Sequence, residues 1–129
     1  MKNLHITASS STPEIDFRMD GNLRIIGKSI PDADSDFWTN VANWYNLYLL
    51  TPANKTNFIF QLDYLNTSSS KEILHMLYRL NELNERGFEA TVFWCCNETD
   101  IDMIEVGKDY EHMVKVPFIF ECENLEIVN

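Results

Sequence analysis

The sequence predicts an α/β fold, in which about three helices pack against a mixed β-sheet. Three observations support this prediction: a hairpin pattern near the start, a strand–helix–strand pattern in the middle, and a further helix and strand after it. The 129 residues are expected to form a single domain over residues 1–129, because a chain of this length can bury a substantial hydrophobic core.

The hairpin is predicted within EIDFRMDGNLRIIG, residues 14–27. Asp20-Gly21 is a strong tight-turn signal, since glycine accepts the positive φ that short hairpin turns require. Apolar residues alternate with polar ones on both sides of the turn, at Ile15, Phe17 and Met19 before it and at Leu23 and Ile25 after it. Alternation of this kind is typical of strands with one buried face.

A helix of three to four turns is predicted after the polar run DADSD, residues 32–36. Asp34, Ser35 or Asp36 could serve as its N-cap, and Pro52 is expected to end it. Apolar side chains recur at helical spacing between these limits, at Phe37, Val41, Trp44 and Tyr48. This spacing indicates an amphipathic helix.

The middle of the chain predicts two buried strands joined by a helix. Residues 57–65, NFIFQLDYL, are nearly continuous in apolar residues, which predicts a central strand covered on both faces, and residues 88–96, FEATVFWCC, predict another buried strand. The helix between them ends near Gly87. Its inward-facing residues are predicted to be Ile73, Met76, Leu77, Leu80 and Leu83. This order forms a right-handed crossover between two parallel strands.

A last helix is predicted from residue 100 to about residue 113, and Pro117 introduces a final strand, PFIFEC. Asp102, Glu105 and Asp109 of this helix lie at i, i+3 and i+7, so they could share one face and hold a cation. Their spacing does not match an EF-hand loop, and the alternative is a solvated acidic face.

The chain is acidic, with 20 Asp and Glu against 10 Lys and Arg and a formal net charge of −10. Such a surface repels nucleic acid and anionic membranes, so neither is an expected partner. No apolar run reaches the roughly 18 residues that span a bilayer. The first residues lack the apolar stretch of a signal peptide, which predicts a cytoplasmic protein. Cys95, Cys96 and Cys122 are then expected to be buried free thiols.

Four hydroxyl residues, Thr67–Ser70, follow the predicted central strand and precede the next helix; we call them the hydroxyl cluster. They lie at the carboxyl end of a parallel strand, where functional residues of α/β sheets tend to collect. One interpretation is helix capping, because Ser69 and Glu72 have the capping-box spacing and Thr67 or Ser68 could act as caps instead. A single helix needs one cap, so capping does not explain four hydroxyls.

A second interpretation of the hydroxyl cluster is phosphorylation. A helix N-terminus offers unpaired N–H groups and about half a unit of positive charge, which favour a phosphate group. A third interpretation is a small hydrolase or metal-dependent enzyme that uses Ser68 or Ser69 with the acidic residues of 100–109. The chain has no GxSxG motif, however, and its histidines show no triad pattern, at His5, His75 and His112.

Several motifs follow one another along the chain in a distinctive order. They are STPEI (11–15), GKSIP (27–31), YLNTSSSK (64–71), a strand ending in Trp94, DIDMIEVG (100–107) and a closing PF (117–118). This order resembles the SiaC family of bacterial regulatory phosphoproteins. The match covers nearly the whole chain, and the NTSSSK block is its most specific part.

The resemblance implies a compact α/β fold similar to anti-sigma-factor antagonists and a non-enzymatic role in partner switching. A protein kinase would phosphorylate the threonine of the NTSS block, which is Thr67 here, and a phosphatase of the metal-dependent protein-phosphatase class would remove the phosphate. The unphosphorylated protein would bind and activate a diguanylate cyclase, which links the switch to cyclic di-GMP and biofilm formation. No cofactor and no metal are expected.

The residues around Thr67 are expected to form a partner-binding surface. They are Asn66, Ser68, Ser69, Ser70 and Lys71, and together with Thr67 we call them the switch patch. The chain departs from the family pattern at Cys95 and Cys96, where the resemblance leads us to expect aromatic residues after Trp94. Because this change alters either the packing or an exposed face of the strand, partner contacts are not carried over to these two positions.

Overall fold

The computed structural model describes residues 1–123, which form six strands and three helices. The strands are β1 (Leu4–Ile6), β2 (Glu14–Phe17), β3 (Asn22–Ser29), β4 (Lys55–Leu65), β5 (Glu89–Asn97) and β6 (Phe118–Glu123). The helices are α1 (Phe37–Leu50), α2 (Thr67–Glu85) and α3 (Ile101–Met113). Within the described residues, no helix has the length and apolar character needed to cross a membrane.

The strands lie in the sheet in the same order as in the chain, β1-β2-β3-β4-β5-β6. The first three pair antiparallel, and β3 to β6 pair parallel, with one helix in each parallel connection. The predicted mixed sheet with an initial hairpin, a central β4–α2–β5 unit and three helices is therefore confirmed. Strand β1 was not predicted, because three residues are too few to show an alternating pattern.

The hairpin between β2 and β3 has the predicted turn. Ile15 pairs with Ile25 and Phe17 with Leu23, and these four side chains are completely buried. Gly21 has a φ of +103°, and a Cβ at this position would clash with the backbone carbonyl oxygen of Lys55. Met19 does not continue the buried alternation as predicted, because it lies in the turn and is 44% exposed.

Helix α1 has 14 residues, which confirms the predicted three to four turns. Asp36 occupies the N-cap position without a side-chain capping bond; instead, Ser35 Oγ accepts the backbone N–H of Phe37 at 3.1 Å. The helix ends at Leu50, just before the predicted stop. Its buried aromatic residues fix it to the sheet, since Tyr45 packs against both Phe17 and Phe58.

Helices cover one face of the sheet. The rings of Phe17 and Trp94 lie on this face, where they contact Tyr45 of α1 and Tyr110 of α3. Residues of β4 alternate between buried and more exposed positions, and β5 does the same. Within residues 1–123 the other face of the sheet carries no helix, so the prediction that residues 57–65 are covered on both faces is wrong, and the strand predicted over residues 88–96 is buried on one face only. The uncovered face also carries apolar side chains, at Ile59, Phe93 and Cys95. They lengthen the apolar runs in the sequence, so that both strands resemble fully buried ones.

Helix α3 packs very closely on β5 and β6. A Cβ at Gly107 would lie 2.5 Å from the indole of Trp94 and 2.8 Å from the ring of Phe120, so this position requires glycine. The indole N–H of Trp94 donates to the carbonyl oxygen of Met103 at 2.9 Å. These contacts hold α3 beside the carboxyl ends of the parallel strands, next to the first turn of α2.

Candidate functional site

The hydroxyl cluster lies at the first turn of α2, directly after the carboxyl end of β4. Thr67 is the first helical residue, as the sequence predicted, and Asn66 is the N-cap residue. The backbone of Asn66 is extended, with φ −88° and ψ 177°. Its backbone N–H donates to the carbonyl oxygen of Ser29 at 2.9 Å, which ties the start of α2 to the end of β3.

The side chain of Asn66 performs the capping. Its Oδ1 accepts the backbone N–H of Ser69 at 3.0 Å and the hydroxyl of Ser68 at 3.1 Å. Its Nδ2 donates to the carbonyl oxygen of Pro31 at 2.9 Å. The capping predictions are wrong for this reason: asparagine caps a helix as well as serine does, and it stands one residue before the hydroxyl cluster. Ser69 is the third helical residue rather than a cap.

Ser69 belongs to a buried polar cluster rather than to the surface. Its side chain is completely buried, and its Oγ lies 2.7 Å from the Oγ of Ser29. It also donates to the carbonyl oxygen of Ser29 at 3.1 Å and accepts the indole N–H of Trp38 at 3.3 Å. Because these bonds satisfy the hydroxyl below the surface, Ser69 joins α2 to β3 and α1 and is inaccessible to a kinase or a substrate.

Ser70 joins α2 to α3. The hydroxyl of Tyr110 donates to the carbonyl oxygen of Ser70 at 2.9 Å, and the two side-chain oxygens lie 3.0 Å apart. Burial raises the pKa of Tyr110, although the Ser70 hydrogen bond acts in the opposite direction. The phenol is therefore neutral at ordinary pH, and the Ser70 hydroxyl donates to it.

Thr67 differs from its three neighbours in the hydroxyl cluster. Its side chain is exposed, and among residues 1–123 it makes no side-chain hydrogen bond. Lys71, one turn further along α2, is also exposed. The N–H groups at the start of a helix have no acceptor within the helix, and they give this end a partial positive charge. Thr67 is thus a free hydroxyl in a position that favours an added anionic group.

The structure does not assemble the site of a small hydrolase or metal-dependent enzyme, the third interpretation of the hydroxyl cluster. In the part of the chain that the structure describes, neither Ser68 nor Ser69 hydrogen-bonds to a carboxylate or a histidine. The carboxylate of Asp100 instead caps α3, because it accepts the backbone N–H of Met103 at 3.1 Å. Residues 1–123 contain no group of three His, Cys, Asp or Glu side chains arranged to hold a metal ion.

A groove between α1 and α2 begins beside the switch patch. Its first part, about 360 Å³, includes Asp32, Trp38, Ser68 and Glu72 among its lining residues. A second part of about 360 Å³ shares Glu72 and continues along α2 to Tyr78. Sequence reasoning missed this groove, because its lining comes from the loop before α1 and from two helices that are separated in the sequence, and such a lining leaves no local pattern.

The fold and this site define a small α/β domain that displays one free threonine hydroxyl at a helix N-terminus, beside an open groove. The family model of SiaC family regulatory phosphoproteins matches residues 6–122. The chain belongs to this family, which confirms the resemblance noted in its motifs.

Two similar proteins from Pseudomonas aeruginosa cover almost the whole chain. An uncharacterized protein of strain UCBPP-PA14 is 26% identical over 126 residues, which cover 96% of this chain and 99% of that protein. The crystal structure of apo-SiaC is similar with a TM-score of 0.86 and 26% identity, covering 94% of this chain and 99% of SiaC.

A second solved structure contains a partner. It is the crystal structure of the diguanylate cyclase SiaD in complex with its activator SiaC, also from P. aeruginosa. The matching chain has a TM-score of 0.83 and 26% identity, and the match covers 92% of this chain and 98% of that chain. The similarity extends over almost the full length of both chains, so the fold class is confirmed by an experimental neighbour.

Proposed function

We propose that this protein is a non-catalytic cytoplasmic regulator that binds and activates a diguanylate cyclase and is controlled by reversible phosphorylation of Thr67. The observation that carries the proposal is the state of the hydroxyl cluster. Ser68, Ser69 and Ser70 are held by hydrogen bonds to Asn66, Ser29 and Tyr110, whereas Thr67 is exposed and free. The membership in a family of regulatory phosphoproteins supports a modified residue, and the complex of the relative SiaC with SiaD supports the cyclase as partner.

Phosphate at Thr67 fits the local structure without disturbing the fold. The free N–H groups and partial positive charge of the first turn of α2 stabilise an anion there. Asn66 already satisfies the backbone N–H of Ser69, so the helix start does not depend on the Thr67 hydroxyl. A phosphorylated protein should therefore keep the same fold while its surface changes by about −1.5 to −2 charges.

The surface around Thr67 is suited to a partner that distinguishes the two states. Ser68 of the switch patch also lines the groove between α1 and α2, so a protein bound in this groove would lie next to Thr67. A phosphate at that interface must lose its hydration, and it would repel acidic groups of the partner. The unphosphorylated protein is accordingly the form that binds and activates the cyclase.

Both enzymes of the cycle need access to Thr67, and its exposure provides that access. A protein kinase would transfer phosphate to the Thr67 hydroxyl, and a metal-dependent protein phosphatase would remove it. The cytoplasm supplies the ATP and GTP that the kinase and the cyclase consume.

Site mapping by mass spectrometry tests the phosphorylation step. The purified protein is incubated with its cognate kinase and ATP, and the phosphopeptide covering residues 64–79 is sequenced. We expect one phosphate at Thr67, none on Thr67→Ala, and normal modification of the matched variant Ser68→Ala. Modification that persists in Thr67→Ala would overturn the assignment of the site.

A further inference from the structure

Two cysteines of neighbouring strands lie unusually close together. Cys96 of β5 and Cys122 of β6 are register partners in the parallel ladder, so their side chains point to the same face of the sheet. Their sulfur atoms are 3.1 Å apart, although both thiols are free. This separation is about 1 Å longer than the sulfur–sulfur distance of a disulfide bond.

The backbone geometry also suits a covalent link. Paired strands lie about 4.7–4.9 Å apart, which falls within the range of about 4.4–6.8 Å between Cα atoms across disulfides. We propose that Cys96 and Cys122 are a redox modification site, at which hydrogen peroxide or a related peroxide forms a reversible disulfide. This site is independent of the phosphorylation of Thr67.

The reaction balances with one peroxide molecule. Attack of the Cys122 sulfur on hydrogen peroxide breaks the O–O bond and gives a sulfenic acid and one water. The Cys96 thiol then displaces the hydroxyl of the sulfenic acid, which forms the S–S bond and releases a second water. Two thiols are oxidised by two electrons in total, and the peroxide is reduced to water. A thiol reductant reverses the modification.

Access and reactivity differ between the two thiols. Cys122 lies on the edge strand and is partly exposed, so it meets the oxidant first. Cys96 is 5% exposed, and its thiol lies beside Cys122 on the same face of the sheet as Trp94, the face that the helices cover. Burial raises the pKa of Cys96 to about 12, and the hydrogen bond with Cys122 adds to this. A largely protonated thiol reacts slowly, so the disulfide should form over a long exposure to peroxide rather than in a rapid response.

Cys95 serves as an internal control. It is adjacent in sequence but points to the uncovered face of the sheet, where its sulfur lies 3.9 Å from a carboxylate oxygen of Glu121. Burial raises the pKa of Cys95 to about 11, and the charges of Glu121 and Glu123 add to this. Because successive strand residues point to opposite faces, Cys95 cannot pair with Cys122 without disrupting the strand.

The disulfide would close the loop that contains α3. A cross-link restricts the unfolded chain and thereby stabilises the folded state. The closed loop would have about 25 residues, and the stabilisation expected for that length lies near the middle of the usual range for disulfides. For a chain of this size, the melting temperature should rise by about 5–10 °C on oxidation. The stabilised α3 carries Tyr110, whose hydroxyl holds Ser70 in the first turn of α2.

The test is peroxide treatment of the full chain, followed by non-reducing peptide mass spectrometry and thermal melting. We expect a Cys96–Cys122 cross-link with a loss of 2 Da, a higher melting temperature, and reversal of both by dithiothreitol. Cys95→Ser should behave the same way, whereas Cys96→Ser and Cys122→Ser should show no cross-link and no increase. Oxidation of Cys122 to sulfinic acid without a cross-link in the wild-type protein, or a cross-link that includes Cys95, would overturn the proposal.

Discussion

The side-chain oxygen of Asn66 accepts the backbone N–H of Ser69 at 3.0 Å, so capping of α2 does not involve Thr67. The same asparagine binds the carbonyl oxygen of Pro31 through its Nδ2. Asn66 thus stabilises the helix start and fixes it to the preceding loop, while the adjacent threonine remains exposed. The structural role therefore belongs to Asn66, and the regulatory role that we propose belongs to its neighbour Thr67.

This division predicts that two neighbouring substitutions differ in their effect on stability. Asn66→Ala removes the cap and the bond to Pro31, so it should lower the free energy of unfolding by about 1–2 kcal/mol. Thr67→Ala removes an exposed side chain that makes no hydrogen bond. It should change the free energy of unfolding by about 0.5 kcal/mol or less. Urea unfolding of both variants measures the difference. An equal loss in the two variants would show that Thr67 contributes to the cap.

The buried position of Ser69 leads to a second prediction. Ser69→Ala leaves the indole N–H of Trp38 and the hydroxyl of Ser29 without this partner, and an unsatisfied buried group costs about 1–3 kcal/mol. We expect a loss of this size in urea unfolding and an unchanged extent of phosphorylation at Thr67. The matched variant Ser68→Ala, at a half-buried position, should be clearly more stable than Ser69→Ala. A lower extent of phosphorylation in folded Ser69→Ala would mean that Ser69 takes part in the modification.

The pKa of Cys96 predicts a loss of stability at alkaline pH. The thiol has an ordinary pKa of 9.0, and burial raises it to about 12 in the folded protein. Above pH 9 the unfolded chain releases this proton while the folded protein retains it, so the contribution is complete below pH 9 and declines as the pH rises toward 12. Unfolding is measured in reducing buffer between pH 8 and pH 11. The stability of Cys96→Ala should fall less steeply with pH than that of the wild-type protein. The two slopes should differ by at most about 1.4 kcal/mol per pH unit. Parallel profiles for the two proteins would contradict the raised pKa.

The sequence predicted those features that depend on neighbouring residues. Asp20-Gly21 indicated the hairpin because a tight turn requires the positive φ of glycine, which Gly21 adopts. The strand–helix boundary at Thr67 followed from the change of apolar pattern around the hydroxyl cluster. Predictions of this kind need no knowledge of distant parts of the chain.

Features that depend on distant residues could not be predicted in the same way. The bond between Ser70 and Tyr110 joins residues 40 positions apart, and no sequence pattern relates them. Ile59 and Phe93 are apolar residues on an uncovered sheet face, so their apolar character alone suggested a second covering layer. The capping function of Asn66 was overlooked because three equally suitable hydroxyl residues followed it.

Substitution of Thr67 by aspartate tests how much of the proposed loss of affinity for the cyclase comes from negative charge alone. Thr67→Asp adds one negative charge, whereas phosphate adds about 1.5 to 2 charges and three strong acceptor oxygens. Its affinity for the diguanylate cyclase should therefore lie between those of the unmodified and the phosphorylated protein. Thr67→Asn is the matched neutral control and should bind like the unmodified protein. A Thr67→Asn variant as weak as Thr67→Asp would indicate a steric effect rather than an electrostatic one.

Phosphate at Thr67 should weaken binding to the cyclase, and calorimetric titration of the two forms of the protein tests this most directly. The cyclase is titrated with unmodified protein and with protein that mass spectrometry shows to be fully phosphorylated at Thr67. We expect affinity to fall by roughly a hundredfold, equivalent to about 3 kcal/mol. Equal affinity of the phosphorylated and unmodified forms would contradict the account.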